Sequence, residues 1–187
     1  MRLERLEATQ RPEKLKAVFD GEALTVSASL CVQFSLCAGM ELDEEAFSAL
    51  KAAVAKEAAR ERAVRILTAS AVSERELEKR LLQKGMLPSD AADAVVWLKE
   101  HRFLDDAATA AQLVDSAVRK GYGRARVKNI LYEKGIPKDL WDEALARIPA
   151  MDDAIDRFLA AKLRGRTADE KTIKKTIDAL LRRGFSY

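Results

Sequence analysis

Hydrophobic positions recur along the chain with two periods. From Leu15 to Phe19 apolar residues alternate with others, Asp20-Gly21 interrupts, and Ala23 to Val26 resumes the alternation, which predicts a β-hairpin around a Gly-containing turn. Two strands alone are barely stable in water, so a helix or another strand from Arg2 to Thr9 has to pack on them. Ser27 is placed to cap one helical turn through Phe34. Beyond residue 42 the period becomes helical. Asp43 is an N-cap, Glu44 and Glu45 suit the positive end of the helix dipole, and Phe47, Leu50, Val54, Ala58, Val64, Ile66 and Leu67 carry an apolar stripe to about Thr68, with a bend near Arg60.

The remaining chain repeats itself. Lys84-Gly85-Met86, Lys134-Gly135-Ile136 and Arg183-Gly184-Phe185 place a glycine between a cation and an apolar residue, at spacings of 50 and 49 residues. A leucine stands four residues before each glycine (Leu81, Leu131, Leu180), and another bulky group three before it (Leu82, Tyr132, Leu181). Self-similarity of this length marks a repeat architecture, here of three short helices per unit. In the first unit Ser73-Glu74-Arg75-Glu76 is a capping box, Leu77, Leu81 and Leu82 face inward, and Gly85 ends the helix. A third helix from about Ser89 carries Ala92, Val95, Val96 and Leu98. His101 to Asp106 then turns the chain, with an aspartate capping the next helix. The second unit runs through Leu113, Val114, Ala117, Val118, Val127, Ile130, Leu131, Leu140, Trp141 and Leu145. After Pro149 the third has Ile155, Phe158 and Leu159 in one helix and a capping box, Thr167-Ala168-Asp169-Glu170, opening the helix that ends at Gly184.

The fold expected is mainly α: elongated tandem three-helix repeats with a small N-terminal α/β appendage. Its parts are residues 1–42 (hairpin appendage), 43–68 (long connecting helix), 69–104, 105–148 and 149–187 (three repeats, the last one helix short).

Composition narrows the function. Of 187 residues 48% are hydrophobic, 34% charged and 6% aromatic, which favours a folded, helical, charge-laced protein. No apolar run approaches the roughly 18 residues of a membrane helix and no signal peptide opens the chain, so a cytoplasmic protein without a membrane partner is expected. Cys31 and Cys37 are too few for a disulfide framework or zinc site and read as small buried apolar groups. No phosphate loop, nucleophile elbow or metal-ligand spacing is present, so neither an enzyme nor a cofactor is expected. His101 reads as part of a turn, Asp105 and Asp106 as helix caps before a metal pair, and Gly121 and Gly123 as a C-cap followed by an N-cap.

The chemistry left is basic. Net charge is −3 over residues 1–59, zero over 60–106, and +3 over each of 107–149 and 150–187. Arg119, Lys120, Arg124, Arg126 and Lys128 cluster around Tyr122 at a turn and helix start, where amides would add partial positive charge suited to phosphate or carboxylate. Arg164, Arg166, Lys171, Lys174, Lys175, Arg182 and Arg183 form a second, looser group.

The segments SERELEKRLLQKG, FLDD, RKGYGRARVKNILYEKGI and LLRRGFSY, at their mutual spacing, resemble the RecX family of recombination regulators over about residues 60–187. The resemblance implies tandem three-helix repeats, binding to the RecA recombinase filament on DNA, and restraint of its ATPase, coprotease and strand-exchange activities within recombination, repair and the SOS response. It raises the basic residues, with Tyr122, Lys174, Lys175, Arg182 and Arg183, to candidate contacts, with RecA side chains and DNA phosphates both open as targets. A helical-repeat protein that binds single- or double-stranded DNA with weak specificity and without RecA, and a generic protein-interaction scaffold, are the alternatives. Relatives of this kind usually continue past GFSY into one more helix.

Overall fold

A computed structural model describes residues 1–164 and 169–185. Arg166 and Thr167, and the Ser186-Tyr187 pair of GFSY, lie outside the described residues. The described chain divides into two compact units, Met1–Arg65 with Leu81–Trp97, and Ile66–Arg80 with the residues from Leu98 onward.

The first unit opens with an antiparallel meander, β1 (Leu3–Ala8), β2 (Lys14–Phe19) and β3 (Glu22–Ser27), in that order across the sheet. The expected hairpin is β2–β3, with Phe19 opposite Glu22, and the element packed on it from the N-terminus is a strand. Ser27 Oγ accepts from the Leu30 amide at 3.1 Å and caps α1 (Ala28–Gln33), whose C-cap is Phe34. Leu3, Ala17, Phe19, Val26 and Leu36 form a core that Phe47 and Leu50 of α2 (Glu44–Ala69) close, the Phe19 and Phe47 rings meeting edge to face at 5.0 Å. Asp43 caps α2 through the Ala46 amide at 2.7 Å.

Farther along α2 the buried residues are Ala59 and Ala63, while Ala58 and Val64 are exposed, a correction to the expected stripe. The helix runs unbroken through Arg60, and its buried face rotates because its two ends pack on different elements. On α4 (Pro88–Glu100), Asp93 holds Arg60 at 2.8 Å and Lys56 at 2.5 Å. Burial pushes the Asp93 carboxyl up, but the hydrogen bonds and charges of Lys56 and Arg60 outweigh it and leave its pKa below the ordinary value. In α4 the core positions are Ala91, Ala94 and Leu98, whereas Ala92 and Val96, expected inward, are exposed. Cys31 packs half-buried on the sheet core, but Cys37 is exposed, contrary to the buried reading.

One hydrogen-bond pattern explains the glycine repeat. At the end of α3 (Glu74–Gln83) the Met86 amide bonds the Leu81 carbonyl and the Gly85 amide the Leu82 carbonyl. Ile136 to Leu131 with Gly135 to Tyr132 does the same at the end of α6 (Arg124–Glu133), and Phe185 to Leu180 with Gly184 to Leu181 at the end of α9 (Glu170–Arg182). These paired bonds define the Schellman turn, which needs a left-handed residue; the three glycines have φ of +79°, +70° and +86°. The same turn corrects the inward assignment of Leu82. Leu81 and Leu131 are fully buried, but the next residue is rotated about 100° around the helix, and Leu82, Tyr132 and Leu181 are 41%, 70% and 46% exposed.

Within the second unit, α5 (Asp106–Arg119), α6 and α7 (Trp141–Ala146), the last preceded by a 3-10 turn at Lys138–Leu140, share a core of Ala110, Val114, Ala117, Val127, Leu131, Ile136, Ala144 and Leu145. Ser73 accepts from the Glu76 amide at 3.1 Å, as a capping box requires, and its hydroxyl donates to the Lys134 carbonyl at the end of α6. Glu76 completes no reciprocal bond. Its Oε1 meets Arg80 and, at 3.2 Å, Lys134 Nζ. The helix α8 (Asp152–Leu163) precedes α9, whose N-cap is Asp169, accepting from the Thr172 amide at 3.1 Å. Among the described residues no helix is long and apolar enough to cross a membrane.

Candidate interaction surface

The basic residues around Tyr122 sit where α5 stops and α6 starts. The Tyr122 amide bonds the Ala117 carbonyl at 3.0 Å, and its side chain packs half-buried on the Val114 core, so the ring anchors the turn. Gly123 is the N-cap of α6 and offers no side chain. Its amide donates to the Arg183 carbonyl at 2.7 Å, and the Ala125 amide donates to the Gly184 carbonyl at 3.1 Å. The partial positive charge expected of the amides at this helix N-terminus is therefore met in part by the end of α9, since the Gly123 and Ala125 amides already have carbonyl partners.

Through the same bonds the two basic groups of the sequence meet. Arg119 and Lys120 are exposed at the end of α5, and Arg124 and Lys128 on α6. Arg126 is half-buried and pairs with Glu133 at 3.2 Å. Arg183 is half-buried too. Its guanidinium lies 4.7 Å from the Phe158 ring centroid and reaches the Lys120 carbonyl at 3.5 Å, which makes it a clasp between α5, α8 and α9. Arg182, Lys174 and Lys175 are exposed on α9, the two lysines two turns nearer its N-terminus.

Lys175 and Arg182, with Lys162 and Lys171, line a cleft of about 450 Å³ between α8 and α9 that also holds Asp178. Lys162 is absent from the sequence-based set, and the pairing of α8 with α9 brings it to Lys171, Lys175 and Arg182. Asp115 forms a bidentate pair with Arg147 at 2.8 and 3.2 Å, and that hydrogen bonding holds its carboxyl below the usual range.

The remaining titratable candidates are structural. His101 stacks on Phe103 with ring centroids 6.5 Å apart. Asp105 caps α5 through the Ala107 and Ala108 amides at 2.8 and 3.0 Å. Asp106, buried, accepts from the Glu74 amide at 2.8 Å and so caps α3. Both aspartates thus serve as caps, as expected for that pair.

Comparison with known proteins adds sequence evidence to this geometry. Residues 59–98 match the family described as "RecX, first three-helix domain", and residues 105–145 match "RecX, second three-helix domain". These two segments are RecX-family three-helix domains. The regulatory protein RecX of Cronobacter sakazakii is 35% identical over 96 residues, 46% of this chain and 58% of that protein. The regulatory protein RecX of Shigella dysenteriae serotype 1 is 36% identical over 95 residues, 46% of this chain and 57% of that protein. The chain thus spans somewhat over half the length of these relatives. A crystal structure of regulatory protein RecX superposes with a TM-score of 0.75 at 23% identity, covering 99% of this chain and 94% of that one. RecX from Lactobacillus salivarius superposes with a TM-score of 0.59 at 20% identity over 72% of this chain and 91% of that one. Both likenesses bear on the fold.

Proposed function

We propose that this chain is a regulatory protein that binds the RecA–DNA filament and restrains its ATPase, coprotease and strand-exchange activities, without catalysis of its own. The observation that supports the reading is the meeting of two basic groups, Arg119, Lys120, Arg124 and Lys128 with Arg182, through the bonds of Arg183 and Gly184 to α6. A surface with this charge suits a filament made of an acidic polymer and the protein that coats it. Several three-helix units, each making weak contacts to neighbouring protomers, would add through effective concentration and hinder the rearrangements that ATP turnover requires.

The test is the ATPase rate of the host RecA on single-stranded DNA as the protein is titrated in, with DNA binding alone measured beside it. Inhibition is expected, and it is expected to vanish in a variant carrying Arg119→Glu, Arg124→Glu and Lys128→Glu. Arg126 and Arg183 are left intact because they hold structural contacts. Unchanged inhibition by the variant would remove the basic surface from the account. Tight, salt-dependent DNA binding with no effect on RecA would replace the reading by that of a DNA-binding repeat protein.

A further inference from the structure

We propose that Arg102 and Phe103, at the corner between α4 and α5, form a site for an unpaired nucleotide of single-stranded DNA, the ring stacking on the base and the guanidinium meeting the phosphate. Helix α4 ends in the same paired bonds as the repeated turns. The Phe103 amide donates to the Leu98 carbonyl and the Arg102 amide to the Lys99 carbonyl, both at 2.9 Å. The left-handed position of this turn is a glycine at Gly85, Gly121, Gly135 and Gly184, with φ between +70° and +86°, but here it is Arg102, with φ +58°. A side chain in that region strains the backbone, and glycine would serve the turn better. Arg102 is exposed, so the fold gains no buried contact in exchange. Strain of this kind gathers where a side chain has a task.

Phe103 is carried outward by its own neighbours. Leu98 and Leu104 are 0% and 5% exposed, and the corner is tied to the start of α3 by Asp106, which accepts from the Glu74 amide, and by Lys99, which pairs with the Glu74 carboxylate at 2.9 Å. All of these residues belong to the second unit. With Leu104 turned into the core, Phe103 beside it is 62% exposed. His101 keeps its structural place in the turn: its ring plane lies within 1° of that of Phe103, which aligns the exposed ring.

A flat apolar face next to a guanidinium asks for a planar ring and an anion in one ligand, and a nucleotide carries both. Aromatic faces and arginines are the groups with which proteins hold single strands. In a duplex the bases cover one another, so only an unpaired base offers its face to Phe103. This site shares no residue with the basic surface of the filament reading and stands whether or not that reading does.

The test is fluorescence anisotropy of the full chain with two labelled strands of equal length and charge, a short oligothymidylate and its abasic counterpart. The parent is expected to bind the oligothymidylate more tightly. Phe103→Ala is expected to weaken that binding about tenfold and to leave the abasic strand unaffected, while Phe103→Trp, which keeps a ring, binds as tightly as the parent. Arg102→Gly is expected to weaken both strands and at the same time to raise the urea midpoint, because glycine relieves the left-handed strain. A folding defect would lower both, so the opposite signs separate binding from stability. Equal binding of the two strands by the parent, or unchanged oligothymidylate binding in Phe103→Ala and Arg102→Gly, would overturn the proposal. So would a lower urea midpoint for Arg102→Gly, since the fold itself would then hold that side chain. Weaker inhibition of RecA by these variants, joined to unchanged strand binding, would likewise overturn it and assign the corner to a protein partner.

Discussion

The amide of Gly123 donates to the carbonyl of Arg183 at 2.7 Å, so the first turn of α6 is closed by the last turn of α9. This approach leaves no room for a side chain, since a Cβ on Gly123 would stand 2.3 Å from the Gly184 oxygen. Gly123 has an ordinary φ of −79°, so Gly123→Ala meets only the steric cost. It is expected to destabilise the protein by about 1–3 kcal/mol and to speed hydrogen exchange at the Ala125 amide. Gly85→Ala is the control for the left-handed strain alone, with φ +79° against +86° at Gly184. Gly184→Ala should cost clearly more than Gly85→Ala in urea unfolding. Equal losses would mean that the α6–α9 contact yields at no cost.

Ser73 does two jobs from a position with no exposed surface, accepting from the Glu76 amide and donating to the Lys134 carbonyl. Ser73→Ala removes the cap and leaves the carbonyl short of a partner, which together should cost about 2–4 kcal/mol. Asp169→Ala removes only a cap, from an exposed site, and should cost less. Denaturant unfolding of the two variants decides this: losses of the same size would show that the bond to Lys134 contributes nothing.

Leu131 and Tyr132 are adjacent in the chain and opposite in burial, 0% and 70% exposed. Leu131→Ala is expected to cost about 2–5 kcal/mol, and Tyr132→Ala to stay within about 0.5 kcal/mol. A large thermal shift for the tyrosine variant would mean that its ring packs in solution. An unchanged stability for the tyrosine variant, joined to weaker filament inhibition, would place Tyr132 on the interaction surface.

These pairs show what the chain makes legible. The leucine four before each repeated glycine is readable because a Schellman turn fixes both at once: the glycine supplies the left-handed residue, and the leucine's carbonyl takes the bond that closes the turn. The residue three before it is apolar for no reason that burial explains, so periodicity alone assigns Leu82 to the core wrongly. In α2 a single stripe is the wrong template, because its start buries Phe47 and Leu50 on the sheet and its later turns bury Ala59 and Ala63, and one period cannot describe two faces. The bonds from Arg183 and Gly184 to α6 are backbone contacts between residues some 60 apart and leave no composition signal. Their only trace is Gly123 standing where the first repeat has Ser73. That is also why the basic residues of the α5–α6 turn and those of α9 read as two groups, although the fold brings Arg182 and Arg183 to the first.

Asp106 is a cap held out of water, and its titration should reveal that. Burial pushes its pKa up, against the hydrogen bond from the Glu74 amide and the charge of Lys99, while the carboxylates of Glu74 and Asp105 push it further up. The folded state therefore holds this proton more tightly than the unfolded chain does. Its contribution to stability then falls as pH rises through the interval between the ordinary carboxylate value and the raised one. Asp106→Asn keeps an oxygen for the Glu74 amide and removes the charge. Above that interval the variant should be at least as stable as the parent, and its advantage should shrink as acid protonates Asp106. Asp93, Asp115 and Asp169, whose pKa values are lowered, lose stability as pH falls, but they do so in both proteins and cancel in the difference. Urea unfolding of the pair from neutral to acid pH measures it. A parent that is the more stable of the two at neutral pH would show that the charge of Asp106, through the Glu74 amide and Lys99, outweighs the cost of burying it.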